Sequence, residues 1–446
     1  MMSTPTDKQR SLVLVGRVLT FNGDPSGFSG EKPFDYWEKG FVVIKNGLIS
    51  DVGELTKIPD EATVVDYGEH LICAGFIDAH VHYPQINVIA SYGTQLLEWL
   101  DKYTFPEEAR FSNKEVADKA AAFFLDELLK NGFTTAAVYC TSHPVSVDAF
   151  FEESSRRNLR VVAGKVLMDR NAPISVRDTA KTGYDQSKAL IDKWHGRGRN
   201  LYAVTPRFAP TSSPEQLELA GALYKSADGV FVQSHVSENL DEVSWVNELF
   251  PDADSYLDVY SHFGLLGPRA LYGHGIHFSD SEIALAAETG SAIVHCPTSN
   301  LFMGSGLFQF ERLKNSEVSL AFGTDIAGGT SLSPFATMKG AYEIAQLQGY
   351  SISPEEAFYT ATLGGAKAMH LDDRIGRIAT GYEADLVVID LKSTPMIANR
   401  TNRADNLGDL LFAQIVLADD RAIRATYAAG NLVYDRKVLL DNPIKG

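Results

Sequence analysis

Between residues 11 and 72 apolar and polar positions alternate in short runs: SLVLVGRVLTF, GFVVIKNGLISDVG and ATVVDYGEHLIC. They are rich in β-branched residues and cut by Gly and Asn-Gly, a pattern that predicts short strands and hairpins. No long helical period appears there. The same texture returns near the C-terminus in ADLVVIDL and AIRATYAAGNLVYDRKV. Two β-rich ends around a long middle predict a small β-sandwich domain built from both termini, residues 1–72 and 375–446.

The middle, residues 73–374, alternates short buried strands with amphipathic stretches such as KEVADKAAAFFLDELLKNG and PEQLELAGALYKSADG. The second follows Ser-Pro, a helix-start signal. Strands are expected at 75–82, 135–140, 161–168, 202–206, 230–235, 270–274, 292–295 and 319–324. Strict alternation of strand and helix implies a parallel sheet. Eight such units imply a (β/α)₈ TIM barrel, the α/β class, whose active site lies at the C-terminal ends of its strands.

Length agrees with this division, because 446 residues exceed the roughly 250 of a plain barrel. The net charge of -17 argues against nucleic acid and anionic membranes, which are bound through Lys/Arg patches. A neutral small-molecule substrate is compatible with it. Three widely spaced cysteines, Cys73, Cys140 and Cys296, form no disulfide framework and suit a reducing, cytoplasmic setting. The N-terminus MMSTPTDKQR is polar, and no apolar run reaches about 18 residues, so neither signal peptide nor membrane span is expected.

The strand ends carry the chemistry. FIDAHVHYPQ ends strand one with His80 and His82, which face one side because strand residues i and i+2 do. FVQSHVSEN ends strand five with His235, followed by Glu238. ALYGHGIHFS ends strand six with His274, and His277 lies beyond it. SLAFGTDIAGG ends strand eight with Asp325. A histidine alone at a strand end is ordinarily a packing residue. Imidazoles and a carboxylate converging from four strands form a nitrogen-and-oxygen set suited to Zn²⁺ and also to Fe²⁺. His143 and His295 are expected to pack or bond at the rim, and His195, His262 and His370 fall in helix or loop contexts. A second metal would need a bridging lysine on strand four, where YAVTPRFAP carries Arg207. Lys165 on strand three is the barrel-strand alternative, so one metal per chain is expected.

Glu238 is by default an exposed loop acid. Beside a metal-bound water, and partly desolvated, it would serve as a proton shuttle. Arg207 is either one half of an ion pair or a rigid donor to a polar substrate edge. Gln85 both donates and accepts, which suits an amide-like heterocycle.

Taken together, HVH, HVSE, GHG and GTDIAGG resemble the amidohydrolase superfamily, in its mononuclear-zinc branch of deaminases and chlorohydrolases. More narrowly, AGFIDAHVHYPQ, LLEWLDKYTFPEEARF, PRFAPTSS, HCPTSNLFMGSG and GTDIAGGTSLSPF resemble the guanine deaminases, and the likeness spans nearly the whole chain. HxH and GTD mark only the superfamily, whereas the EWLxKYTFP loop with HYPQ is far more specific. Ala74 departs from the family's usual proline, away from the ligands.

The resemblance implies zinc held by His80, His82, His235 and Asp325, with His274 as a further ligand. It implies guanine contacts from Gln85, Arg207, Phe208, His235 and Trp99, the last of which has helix packing as its alternative. The implied reaction is attack of zinc-activated hydroxide on C2 of guanine, with Glu238 and Asp325 shuttling protons, giving xanthine and ammonia in purine catabolism or salvage. A cytoplasmic homodimer is implied as well. The rival readings are an aminohydrolase for another purine, a pterin or a triazine on the same site, a binuclear amidase, and a non-catalytic scaffold that keeps the fold.

Overall fold

The first strand of the barrel grows directly out of the neighbouring sheet. Strands β1 (Leu12–Phe21), β2 (Phe34–Lys45), β3 (Leu48–Glu54) and β4 (Thr63–Ala74) precede β5 (Phe76–His82). Only Gly75 separates β4 from β5, and a Cβ there would stand 2.2 Å from Thr134 Oγ1, so the handover demands glycine. The computed structural model describes residues 11–26, 32–56, 62–93 and 95–437. The polar N-terminal decapeptide, expected to carry no leader, lies outside the described residues.

The barrel continues through β6 (Phe133–Tyr139), β7 (Arg160–Gly164), β8 (Val166–Leu167), β9 (Asn200–Pro206), β10 (Phe231–Val236), β11 (Ala270–His274), β12 (Ala292–His295) and β13 (Ser319–Phe322). All barrel pairings are parallel. The strands read as near-continuous apolar runs because helices cover their outer faces. The segment after β13 closes the barrel on β5: Asp325 N donates to His80 O at 2.9 Å, and His82 N donates to Ile326 O at 3.1 Å. Asp78 adds a side-chain clamp, accepting from Thr324 N at 3.0 Å and from Thr324 Oγ1. The third strand, expected unbroken over 161–168, is split at Lys165. A Cβ on Gly164 would lie 1.8 Å from Ala203 O, so the chain presses against β9 and loses regular pairing there.

The C-terminal strands β14 (Leu386–Ile389), β15 (Ile423–Ala428) and β16 (Asn431–Asp435) join β1–β4 in one seven-stranded sheet of order β16-β15-β14-β4-β1-β2-β3. Both chain ends thus share one sheet, as their common texture suggested. A buried ion network ties it to the barrel. Arg160, at the start of β7, and Arg199, just before β9, both grip Glu383, and Arg199 also grips Asp385 ahead of β14. The expected Ser-Pro helix start is present: Ser213 accepts from Gln216 N and caps the helix Pro214–Tyr224. Among the described residues no helix is long and apolar enough to cross a membrane.

Candidate active site

Four strand ends deliver the polar groups. Every residue of β5 is buried, and His80 and His82 sit with ring centroids 5.3 Å apart. β10 brings His235, β11 ends on His274, and Asp325 follows β13. His274 (φ 77°) and Asp325 (φ 50°) both occupy the left-handed region. Non-glycine residues adopt it at a cost of order 1–3 kcal/mol, and such positions cluster at functional sites. Two glycines make room for His80. A Cβ on Gly273 would stand 2.4 Å from His80 Cε1, and one on Gly323 2.7 Å from His80 Cβ. GHG and FGTD are therefore steric as well as chemical signals.

Donor atoms of His80, His235, His274 and Asp325 all lie within 4.8 Å of one another. His82 Nε2 adjoins this group, 3.1 Å from His235 Nε2 and 3.4 Å from Asp325 Oδ1. His80 Nε2 is 3.3 Å from the same oxygen. Atoms bound at about 2.1 Å to one cation stand roughly 3.4 Å apart in a tetrahedron, so these spacings suit a single ion. Three of the imidazoles are pushed toward the neutral form that binds metal. Burial, reinforced by neighbouring histidines, holds His82 and His235 well below the usual histidine range, and burial pushes His274 down to about 3. His235 Nδ1 donates to Arg207 O at 2.7 Å, which leaves the Nε2 lone pair facing the centre. His80 Nε2 and His274 Nε2 are buried without a hydrogen bond of good geometry. Buried imidazoles with inward, unpartnered nitrogens fit a metal ion.

Two carboxyls flank this centre, and their surroundings push them in opposite directions. Burial pushes Asp325 upward, but the adjacent His80 overrides it and the net direction is down. Burial, with the nearby charges of Asp325 and Glu242, drives Glu238 well above the usual range. Glu238 Oε2 lies 3.3 Å from His274 Nε2, and its Oε1 accepts from Ser305 Oγ at 3.2 Å. The helix Leu240–Leu249 begins with a capping box between Asn239 and Glu242 that fixes the turn carrying Glu238. Two nearby carboxyls pushed in opposite directions are suited to act as an acid/base pair.

A pocket opens over these groups toward solvent, and Gln85, Trp99, Arg207 and Phe208 line it with Glu238 and Asp325. Trp99 is held by its indole N–H, which donates to Ser91 O at 3.2 Å, so it walls the cavity as well as packing. Arg207 is both things the sequence allowed. It lines the cavity, and its Nη1 donates to both oxygens of Glu108 at 2.9 Å. Gln85 Nε2 donates to Glu108 at 3.1 Å, and Gln85 Oε1 accepts from Ala327 N at 3.2 Å.

Other histidines stand apart. His277 Nε2 pairs with Ser305 O at 2.9 Å and lies outside the donor group, as expected of a loop residue. His295 is buried against Phe308, and His195 bridges Asp228 O and Tyr202 N. Lys165 is committed to Asp178. Reasoning from sequence missed Glu108, Asp78 and Asn300, whose amide sits 2.9 Å from His274 Nδ1. Asp78 was within reach of the i, i+2 rule that found His80. Glu108 was not, because nothing in PEE says which acid turns inward.

A parallel barrel that gathers imidazoles and a carboxylate at its C-terminal mouth, with a second buried acid beside them, has the architecture of a metal-dependent hydrolase. The chain belongs to the amidohydrolase family, whose model matches residues 71–433. It is 49% identical over 403 residues to a guanine deaminase of Escherichia coli, covering 90% of this chain and 92% of that protein. Among solved structures, E. coli guanine deaminase superposes with a TM-score of 0.92 at 46% identity, covering 95% of this chain and 99% of that one. A guanine deaminase from C. acetobutylicum with guanine bound in its active site superposes with a TM-score of 0.85 at 31% identity, covering 95% and 100%.

Proposed function

We propose that this chain hydrolyses guanine to xanthine and ammonia at a single zinc ion held by His80, His82, His235 and Asp325, with His274 beside them. The observation that carries the reading is the convergence of Glu238 and Asp325 on the imidazole cluster beneath a pocket lined by Arg207 and Gln85. The guanine-bound relative supports the substrate.

When bound, zinc lowers the pKa of water from about 16 to about 7 and so makes a nucleophile available at neutral pH. Asp325 accepts the proton that the attacking water gives up as its oxygen bonds to C2. Glu238 donates its proton to N3, which prevents negative charge from building on the ring. Glu238, now ionised, takes the proton of the new hydroxyl. Asp325 returns its proton to the amine, the C2–N bond breaks, and ammonia leaves. Both carboxyls end in their starting states.

Arg207 donates to O6, Gln85 meets the N1 edge, and Phe208 and Trp99 wall the ring. Adenine would set an amine against the guanidinium, and unpaired buried polar groups of this kind cost factors of about 10⁴–10⁵. The three unpaired, buried cysteines support a reducing, cytoplasmic location. Likeness to the deaminase family supports a homodimer. The shared sheet supports dividing the chain into a barrel, 73–374, and a β domain, 1–72 with 375–446.

The test is ammonia release from guanine, adenine, cytosine and ammeline alongside metal analysis. Guanine should dominate by several orders of magnitude. No ammonia from guanine refutes the assignment, and fast release from ammeline instead moves it to the triazine reading.

A further inference from the structure

The connection after β5 contains a charged residue that the chemistry above leaves unused. Glu108 is fully buried, in the short helix Phe105–Ala109, and it does not line the cavity. Its carboxylate nevertheless touches the two polar side chains placed to meet the purine edge. Both its oxygens accept from Arg207 Nη1, and Oε1 accepts from Gln85 Nε2. The same helix supplies Phe105, whose ring centroid lies 5.3 Å from the Arg207 guanidinium carbon. One turn of helix thus grips the guanidinium by charge and by a ring face.

We propose that Glu108 is the positioning residue for base selectivity: it locks Arg207 and Gln85 into the donor and acceptor pattern that a 6-oxo, N1-protonated purine requires. This rests on the guanine reading and goes further than it. The reasoning is one of hydrogen-bond polarity. A carboxylate only accepts, so Gln85 must turn its NH₂ toward Glu108. The Ala327 N–H only donates, so Gln85 must turn its oxygen the other way. These two partners leave the amide one orientation, with one N–H and one oxygen lone pair for a ligand. Arg207 has one nitrogen committed to Glu108 and its other donors free. A ligand edge offering an acceptor at position 6 and a donor at N1 fits this arrangement. An adenine-type edge has both reversed. With an amide in place of Glu108, Gln85 is free to flip and Arg207 loses the anion that aims it.

Glu108 works through its neighbours, so the test compares two ligands that are not deaminated. Hypoxanthine is guanine without the 2-amine and keeps O6 and N1–H, whereas purine has neither. In Glu108→Gln, metal content is retained and the inhibition constant of hypoxanthine rises about 10- to 100-fold, the size of losing a hydrogen bond to a charged group, while that of purine stays within about twofold. KM for guanine rises by more than kcat falls. Added to Arg207→Ala, the substitution weakens hypoxanthine by clearly less than it does alone, because the share carried through Arg207 is already lost and only the Gln85 share remains. Equal loss for hypoxanthine and purine, or additive loss in the double variant, overturns the proposal and leaves Glu108 merely structural. Glu108→Gln strands a buried guanidinium, so Glu108→Asp is the second variant. It keeps the charge but withdraws it by one methylene, and unchanged hypoxanthine binding there also overturns the proposal. Failure of the guanine reading looks different: the wild-type chain would release no ammonia from guanine and would not prefer hypoxanthine to purine.

Discussion

Gly273→Ala tests whether the metal centre depends on space as much as on ligands. The added Cβ would lie 2.4 Å from Cε1, 2.6 Å from Nδ1 and 3.2 Å from Nε2 of His80. Non-bonded carbons settle about 3.5–4.0 Å apart, so the ring must retreat by about 1 Å. Retreat is blocked. The Tyr139 ring centroid is 4.7 Å away, and Gly323 already needs its missing Cβ to clear His80. A metal site tolerates displacements of about 0.2 Å. Overpacking of this kind costs about 1–3 kcal/mol. If metal binding bears the whole cost, affinity falls roughly 5- to 150-fold. The assay is zinc content after dialysis against graded chelator, read beside thermal unfolding and guanine turnover. Gly53→Ala is the control, because its Cβ would meet only Phe41 Cε1, at 3.8 Å. Gly273→Ala should lose zinc at chelator concentrations where wild type and Gly53→Ala keep it. Wild-type zinc retention in Gly273→Ala, whatever its melting temperature, would refute the argument that glycine there holds His80 in place.

Glu238→Gln should keep zinc and lose about 10²–10⁴ of kcat, and near-normal turnover would remove Glu238 from the mechanism. Chelation should abolish deamination, and one equivalent of zinc per chain should restore it; two tightly bound equivalents would contradict the single-metal site. The Arg160–Glu383–Arg199 network predicts a pH dependence of stability. Burial pushes the Glu383 carboxyl up, but Arg160 and Arg199 outweigh it and the net direction is down. A depressed carboxyl stabilises the fold above its unfolded value, about 4.3, and that stability is lost as pH falls through the folded value. Glu383→Gln should therefore lose about 1–3 kcal/mol at pH 7 by urea unfolding and much less once the pH lies below the folded value, whereas equal losses in both ranges would exclude the ion pairs as the cause.

The strand ends were legible because a parallel barrel converts sequence position into spatial position. His80, His82, His235, His274 and Asp325 are far apart in the chain, yet each ends a recognisable apolar run, and the fold turns such ends into neighbours. Groups that hang from irregular backbone were not legible. Glu107 and Glu108 are adjacent and chemically identical, and only the winding of 96–112 sends one behind Arg207 and Gln85 while the other pairs with Asn87 and Arg110. Ser305 and Asn300 lie in HCPTSNLFMGSG after β12, a stretch that carried the family likeness but no assigned role, because β12 supplies no donor to the cluster. The split at Lys165 was invisible because it goes with a close approach of the Gly164 backbone to Ala203 O, a three-dimensional contact that no local propensity signals.

This layout bears on how metal and substrate interact. The donor cluster hangs from β5, β10, β11 and the segment after β13, while the base-facing groups are braced by Glu108 on the connection after β5. Perturbing Gly273 should therefore cost zinc, and perturbing Glu108 should cost base selectivity, with little crosstalk. Hydrogen bonds join the two sets at two places: His235 Nδ1 donates to Arg207 O, and Ala327 N, two residues past Asp325, donates to Gln85 Oε1. The same turn sends Ile326 O to His82 N. Any movement of Asp325 on gaining or losing a metal is thus passed along one short turn to the amide that meets the N1 edge. Reciprocity then requires that a ligand pinning Gln85 also pins Asp325, so hypoxanthine should slow zinc loss to chelator more than purine does. Equal protection by the two ligands would mean that the Ala327 contact carries no coupling.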